Sequence, residues 1–149
     1  MKLPAVGLAL VLTVLGASGA RAQGDRWERE VRAQLGRAAE SLGAATRRPP
    51  IATLLGTLNT DESDSLTLTL RVGTSYVVVG ACDEDCSKLG LVLSDLTSHE
   101  LAADHASDHA PVVRLTPATT ASYRVRVVMD RCQMNPCRYG VAVLTPPAP

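Results

Sequence analysis

From about residue 56 onward, apolar side chains recur at every second position, and this period constrains the fold more than any other feature. In the first such run, Leu66, Leu68 and Leu70 alternate with serine and threonine. Such alternation places the two kinds of side chain on opposite faces of a β-strand. Further apolar runs occupy residues 74–81, 89–93, 113–115, 123–129 and 139–143. Six or seven short strands separated by turn residues indicate an all-β fold, so we predict an antiparallel β-sandwich over residues 54–145.

One of these runs, TSYVVVGA at residues 74–81, is apolar without interruption from Tyr76 onward. Continuous apolar sequence is typical of a strand that is buried on both faces. The chain has no Phe and one Trp, so we expect the core to consist mainly of Val, Leu and Ala.

Residues 23–45 have the three- and four-residue period of an amphipathic helix, with Asp25 and Glu28 placed as a capping box at its start. The apolar stripe consists of Trp27, Val31, Leu35, Ala38 and Leu42. A stripe this narrow favours packing on the following domain, and self-association through the helix is the alternative. Two consecutive prolines, Pro49 and Pro50, stop the helical pattern, so we interpret residues 46–53 as a linker. Residues 146–149 form a proline-rich tail.

The N-terminus resembles a secretory signal peptide. Lys2 precedes an apolar run from about residue 6 to 15, and Ala20, Arg21 and Ala22 follow in an A-x-A pattern. The run is too short to span a bilayer, which needs about 20 apolar residues. We therefore predict that residues 1–22 are cleaved and that the mature chain, about one domain long, is periplasmic or secreted.

Charge and hydropathy restrict the partners of the mature chain. The sequence has 15 basic and 15 acidic residues, and cleavage after Ala22 removes two of the basic ones. A slightly acidic chain is not typical of a nucleic-acid-binding protein. Nothing beyond the signal peptide is long and apolar enough to suggest membrane insertion.

Four cysteines lie in two close pairs, Cys82 with Cys86 and Cys132 with Cys137. In an exported chain such cysteines usually form disulfides. By loop-closure entropy, each local bridge would stabilise the folded state by about 2 kcal/mol and a long-range bridge by about 4 kcal/mol. The stabilisation energy alone therefore leaves the pairing open. Proximity along the chain favours the local pairs, each of which must then lie on a turn. Zinc and thiol redox sites prefer C-x-x-C spacing, which neither pair has.

The order of motifs in residues 54–145 resembles the bacterial pre-peptidase C-terminal domain family. The motifs are Gly56-Thr57-Leu58, the acidic turn 61–64, LTLTL, Gly73 to Val78, LGLVLSD, Ala110-Pro111-Val112, ASYRVRVVM and RYGVAV. The resemblance implies a jelly-roll-like β-sandwich that is non-catalytic and is usually appended to secreted exoenzymes. It also implies binding of calcium or a matrix polymer in some members.

The chain departs from the family pattern at two places. Lys88 and Gly90 stand where members often have the aspartates of an Asp-Leu-Asp-Leu strand, and Ala121 stands where a glycine is usual. Loss of two carboxylates weakens the case for calcium, which needs six to eight oxygen ligands. We therefore interpret the acids at 83–85 as a solvated loop and expect no cofactor.

Two groups of polar residues are candidate binding sites. Arg124 and Arg126 share one face of a predicted strand, and with Arg114 and Arg138 on neighbouring strands they would form a ladder for carboxylate or phosphate groups. The segment 99–111 is the alternative, a periplasmic metal site. Its ligands would be His99, Asp104, His105, Asp108 and His109 if a helix aligned them; a polar loop is the favoured interpretation.

No G-x-S-x-G or H-E-x-x-H motif occurs in the sequence. We predict an exported, non-catalytic accessory or binding module of the cell envelope. Its expected partner is an envelope polymer or protein that contacts the sheet face.

Overall fold

The computed structural model describes residues 18–43, 49–105 and 108–146. Within these ranges one helix, α1 (Ser18–Ser41), precedes eight strands. The strands are β1 (Ala52–Leu58), β2 (Ser63–Leu70), β3 (Tyr76–Cys82), β4 (Cys86–Asp95), β5 (Glu100–Asp104), β6 (Val112–Leu115), β7 (Ala121–Cys132) and β8 (Cys137–Leu144). Most of the predicted signal peptide, residues 46–48 of the predicted linker and the tail beyond residue 146 lie outside the described residues.

The strands form two antiparallel four-stranded sheets. Sheet A has the order β1-β8-β3-β6, and sheet B has the order β2-β7-β4-β5. Every connection between consecutive strands crosses from one sheet to the other except the one from β4 to β5. Two sheets built in this order are a jelly roll. The predicted antiparallel all-β sandwich is confirmed.

The alternating residues pack between the two sheets. On sheet B the inward side chains include Leu89, Leu91 and Leu93 of β4, and on sheet A they include Val141 and Val143 of β8. These side chains are almost completely buried. Burial of apolar area at about 25 cal/mol per Å² drives the association of the sheets. The period of two therefore predicted the inward face of each long strand correctly.

The three tyrosines of the chain reach into this core, and each hydroxyl has a partner. Tyr123 donates to the carbonyl of Thr119 at 2.8 Å, and the hydroxyl of Tyr76 accepts the backbone N–H of Arg71 at 3.0 Å. Tyr139 of sheet A donates to Asp64 of sheet B at 2.5 Å. Burial, together with this hydrogen bond to Asp64, raises the pKa of Tyr139 well above its usual range. A buried ring thus ties the two sheets together without leaving a polar atom unsatisfied.

The helix α1 covers the outer face of sheet A. Val31 and Leu35 are buried against Val77, Val79 and Ala142. The approach is so close that a β-carbon at Gly140 would lie 2.6 Å from Val31 and 2.9 Å from Leu35. The interpretation that the helix packs on its own domain is confirmed. Self-association through the same stripe would require the helix to leave the sheet.

The position of α1 also explains the continuous apolar run of β3. Every residue of this strand is buried. Alternate side chains face the sandwich core on one side and the helix on the other. The predicted burial on both faces is confirmed.

Several predicted boundaries differ from the structure. The described part of the helix already includes Ser18, so the expected capping box at Asp25 lies inside the helix and does not start it. The helix therefore continues through the predicted cleavage site, and cleavage after Ala22 stays a prediction. β1 begins at Ala52, inside the predicted linker. β5 lies in the segment that was interpreted as a polar loop.

Candidate functional site

The four cysteines form two local disulfides at one end of the sandwich. Cys82 is bonded to Cys86 and Cys132 to Cys137, with Cα–Cα distances of 5.9 and 5.7 Å. Each bridge closes a turn between the sheets, from β3 to β4 and from β7 to β8. Cys86 and Cys132 are also partners in the register of sheet B. The predicted pairing and its location on turns are confirmed.

Between the first two cysteines, Asp83 departs from the expected solvated acidic loop. Its residue surface is only 5% exposed, whereas the neighbouring Glu84 is exposed. The Asp83 Oδ2 atom accepts the backbone N–H of Arg138 at 2.8 Å. The Asp83 Oδ1 atom is buried without a hydrogen-bond partner among the described residues. The interpretation of a solvated loop is wrong for Asp83, because the short disulfide turn holds it against the start of β8.

The environment of Asp83 affects its titration. Burial raises the pKa of this carboxyl, and the neighbouring acids Asp85 and Glu84 act in the same direction. The hydrogen bond from Arg138 and its positive charge oppose the rise. A buried carboxylate with one unpartnered oxygen is unfavourable unless a cation or donor reaches it.

A cavity of about 350 Å³ lies between this turn and α1. The turn contributes Asp83, Glu84 and the Cys82–Cys86 bridge, and the helix contributes Arg26, Trp27 and Glu30. The Arg26 guanidinium lies 5.0 Å from the centre of the Trp27 ring. A second groove of about 550 Å³ lies further along α1 and has a mainly apolar lining. The two spaces adjoin, since Gln34 and His109 line both of them.

The second candidate surface is the outer face of sheet B, to which Arg124 and Arg126 of β7 point. In register, Arg126 lies between Ser65 and Val92, and Arg124 lies between Thr67 and Ser94. The four ion pairs found in the described part of the chain involve neither guanidinium. Val92 and Ser94 are buried although they face outward from the sheet. We attribute this to the arginine stems beside them, since long cationic side chains cover apolar surface with their methylene groups.

Arg114 and Arg138 do not join this pair, so the expected four-arginine ladder is wrong. Arg114 lies on β6 and Arg138 on β8, and both strands belong to sheet A. The two also lie far apart: Arg114 is opposite Val77, whereas Arg138 is opposite Thr57 at the disulfide end. The prediction assumed neighbouring strands, and the jelly-roll order separates them.

The histidine segment does not adopt the helix that would have aligned its residues, because residues 100–104 form β5. Asp104 accepts the backbone N–H of Val112 at 3.0 Å, and Asp108 accepts that of Ala110 at 2.8 Å. Over residues 18–43, 49–105 and 108–146, no three His, Cys, Asp or Glu side chains are grouped as metal ligands. His109 lies instead beside the cavity at α1.

The other two histidines have separate carboxylate neighbours. His105 lies 3.2 Å from Glu100, and His99 lies 4.0 Å from Asp95. Asp95 organises the turn between β4 and β5 by accepting hydrogen bonds from Thr97 and from the His99 backbone. These hydrogen bonds lower the pKa of Asp95. This carboxylate therefore has a structural role in the turn.

No described helix has both the length and the apolar character needed to cross a lipid bilayer. No protein-family model matches the chain, and no curated protein matches its sequence.

Solved structures resemble it weakly. The pre-peptidase C-terminal domain of collagenase from Bacillus anthracis is 15% identical, with 66% of this chain and 99% of that chain covered and a TM-score of 0.49. PliG from Aeromonas hydrophila, a periplasmic inhibitor of g-type lysozyme, is 11% identical over 67% of this chain and 90% of that chain, with a TM-score of 0.49. The Yersinia pseudotuberculosis-derived mitogen is 14% identical over 66% of this chain and 87% of that chain, with a TM-score of 0.48. The likeness to the pre-peptidase C-terminal domain is one of fold, and no activity transfers at these identities.

The sequence alone did not single out Asp83 and Trp27 as parts of one site. The burial of Asp83 could have been suspected from the sequence, because Asp83 directly follows a cysteine of a short disulfide loop. The helical period places Trp27 in the packing stripe of the helix. Their proximity depends on where α1 lies on sheet A.

Proposed function

We propose that the chain is an exported, non-catalytic binding module of the cell envelope that holds an anionic polymer or protein partner against the outer face of sheet B. The observation that carries this proposal is the guanidinium pair of Arg124 and Arg126. The pair lies on an uncovered sheet and makes no ion pair among the described residues.

The spacing of the two arginines suits an extended anionic partner. Residues two apart on a strand are about 7 Å apart and point to the same side. Each guanidinium can donate two parallel hydrogen bonds to a carboxylate or phosphate group. A partner with acidic groups in series would therefore engage both arginines at once.

The neighbouring strand β2 adds neutral polar groups to this surface. Ser65, Thr67 and Thr69 are exposed and alternate with the inward leucines. Ser65 is opposite Arg126, and Thr67 is opposite Arg124. Hydroxyl groups can both donate and accept hydrogen bonds, so they complement the arginines, which only donate.

Export is supported by the two disulfides, because such bonds persist in oxidising compartments outside the cytosol. The signal-like N-terminus favours the same location. The lack of a hydrolase motif in the sequence favours binding over catalysis. No observation favours the metal-binding alternative, since Asp104 and Asp108 are engaged by backbone groups.

The test is binding to an immobilised carboxylated polysaccharide such as alginate, with neutral dextran as the reference surface. The double variant Arg124→Glu/Arg126→Glu should lose binding, and wild-type binding should fall as salt rises because the contacts are solvent-exposed. The matched control is Arg29→Glu/Arg114→Glu, which changes the net charge equally on the helix and on sheet A. Normal binding by the first variant, or equal loss in both, would reject the proposed surface.

A further inference from the structure

The cavity between α1 and the Cys82–Cys86 turn is separate from the arginine face. We propose that this cavity binds a small organic molecule through a primary ammonium group. The carboxylate of Asp83 and the ring of Trp27 would be the main contacts.

The first argument is the state of Asp83. Its Oδ1 atom is buried and unpartnered, while Oδ2 is already used by the Arg138 backbone. Buried polar atoms almost always have partners, and an exception requires an explanation. In the described chain the only other such atom is the hydroxyl of Ser87, in the same segment. The unmet hydrogen-bonding capacity is thus concentrated at this turn, and Asp83 is among the residues that line the cavity. Because Oδ1 itself has almost no exposed surface, a ligand would reach it only after the carboxylate turns toward the cavity.

The second argument is the charge around the cavity. Its lining includes three carboxylates, those of Glu30, Asp83 and Glu84, against the single guanidinium of Arg26. Glu30 is 3.8 Å from Arg37, at an exposed position where such a pair contributes little. Burial is the main cause that raises the pKa of Asp83, Asp85 and Glu84 add to the rise, and the hydrogen bond and charge of Arg138 offset part of it. A bound cation would relieve this imbalance.

The third argument identifies the kind of cation. Across residues 18–43, 49–105 and 108–146, no grouping of three metal-ligating side chains is present, so a divalent metal would lack its ligand set. An ammonium group requires fewer ligands than a metal ion, because it donates up to three hydrogen bonds and is attracted to an aromatic face. The ring of Trp27 has the Arg26 guanidinium 5.0 Å from its centre, so an incoming ammonium group would displace that guanidinium or use another part of the indole. The cavity volume of about 350 Å³ is within the range of small-molecule sites.

The single tryptophan of the chain makes the proposal directly measurable, because Trp27 lines the cavity and is the only indole fluorophore. Full-length protein is titrated with 1,5-diaminopentane and with glucosamine. Their uncharged counterparts, 1,5-pentanediol and N-acetylglucosamine, are titrated in parallel. We expect a saturable fluorescence change with an ammonium compound and none with its counterpart. The responding compound distinguishes a linear amine from an amino sugar as the source of the ammonium.

The decisive variant is Asp83→Asn, which keeps the shape of the side chain and removes its charge. It should weaken ammonium binding at least about tenfold, because a hydrogen bond between charged partners is lost. The matched control is Asp85→Asn, two residues along the same turn and outside the cavity lining, which should change affinity by no more than about twofold. Far-UV circular dichroism confirms that each variant folds.

A second variant keeps the proposal testable if Asp83→Asn does not fold. Glu30→Lys introduces a cation at an exposed helix position on the cavity rim and should weaken binding at least about fivefold through charge repulsion. Two results would overturn the proposal. One is the absence of saturable binding up to roughly 50 mM by both fluorescence and calorimetry, far weaker than typical small-molecule affinity. The other is equal binding by wild type and by the folded Asp83 or Glu30 variant.

Discussion

The two sheets of the sandwich have outer faces of opposite character. The outer face of sheet A is apolar and is covered by α1, through Val31 and Leu35. The outer face of sheet B carries serine, threonine and the Arg124–Arg126 pair, and no described helix lies on it. Both faces belong to the same jelly roll and use the same antiparallel pairing.

The difference shows that one face stabilises the domain while the other stays available for contact. Burial of Val77, Val79 and Ala142 under the helix adds a second small core. Loops and uncovered surfaces on a rigid scaffold commonly carry binding functions. The cavity at Asp83 lies at the rim of the covered face, where the helix meets the disulfide turn.

The largest expected effect is the loss of stability when a leucine is replaced by alanine on the covered face, compared with the same substitution on the other sheet. Leu35→Ala removes a buried side chain from the seam between helix and sheet and should lower the free energy of unfolding by about 2–4 kcal/mol. Leu101→Ala, the same change at an exposed position in β5, should cost less than about 0.5 kcal/mol. Urea unfolding monitored by circular dichroism measures both. Similar losses at the two positions would contradict the assigned difference between the faces.

A smaller effect is expected from adding one methyl group to each sheet. At Gly140 a β-carbon would lie within 3.0 Å of three apolar atoms of Val31, Leu35 and Leu55, so Gly140→Ala should destabilise the protein by about 1–3 kcal/mol. At Gly90 the nearest atom is the end of the Asp130 side chain at 3.1 Å, which can move aside. Gly90→Ala should therefore change the stability by less than about 0.5 kcal/mol. If both variants unfold at the wild-type urea midpoint, the close helix contact is not maintained in solution.

The smallest expected effect concerns the pH dependence of stability at the rim of the covered face. The pKa of Asp83 is raised in the folded state, so above about pH 4 the folded chain binds more protons at this site than the unfolded chain. This residue therefore contributes less stability as the pH rises through its folded-state pKa. Asp83→Asn removes that contribution.

The unfolding free energy of the Asp83→Asn variant, minus that of wild type, should increase between about pH 4 and 7. Urea titrations at several pH values measure this difference. Asp130→Asn, at an exposed position of β7 that does not contribute to the shift at Asp83, serves as the control for a general change in charge. A difference that stays flat with pH would show that Asp83 is well solvated in the folded protein.

Individual elements show which parts of the fold could be predicted from the sequence. Leu66, Leu68 and Leu70 predicted the inward face of β2 because strand alternation is a local property. The two disulfides were also predictable, since short loops bring their ends together. The sequence did not predict β5, because this strand is short and lies at a sheet edge. Its side chains are only partly buried, so apolar and polar residues do not alternate clearly. The helix start was misplaced because a cap-like pair at Asp25 and Glu28 occurs inside a longer helix.

The candidate sites were less predictable because they depend on which strands become neighbours. Arg124 and Arg126 could be paired from the sequence, since they lie on one strand. Their separation from Arg114 and Arg138 is a consequence of the jelly-roll strand order. Likewise, the cavity joins residues of α1 to a turn about 50 positions later.

The sequence by itself determined the strand periods, the inward faces, the apolar helix stripe and the local cysteine pairs. Each of these follows from side chains a few residues apart, whose relation is set by backbone geometry. Only the tertiary structure decided which face α1 covers, that Asp83 is buried with one unpartnered oxygen, and that two arginines rather than four share a surface. Those outcomes depend on contacts between distant segments, which cooperative packing selects and local patterns do not specify.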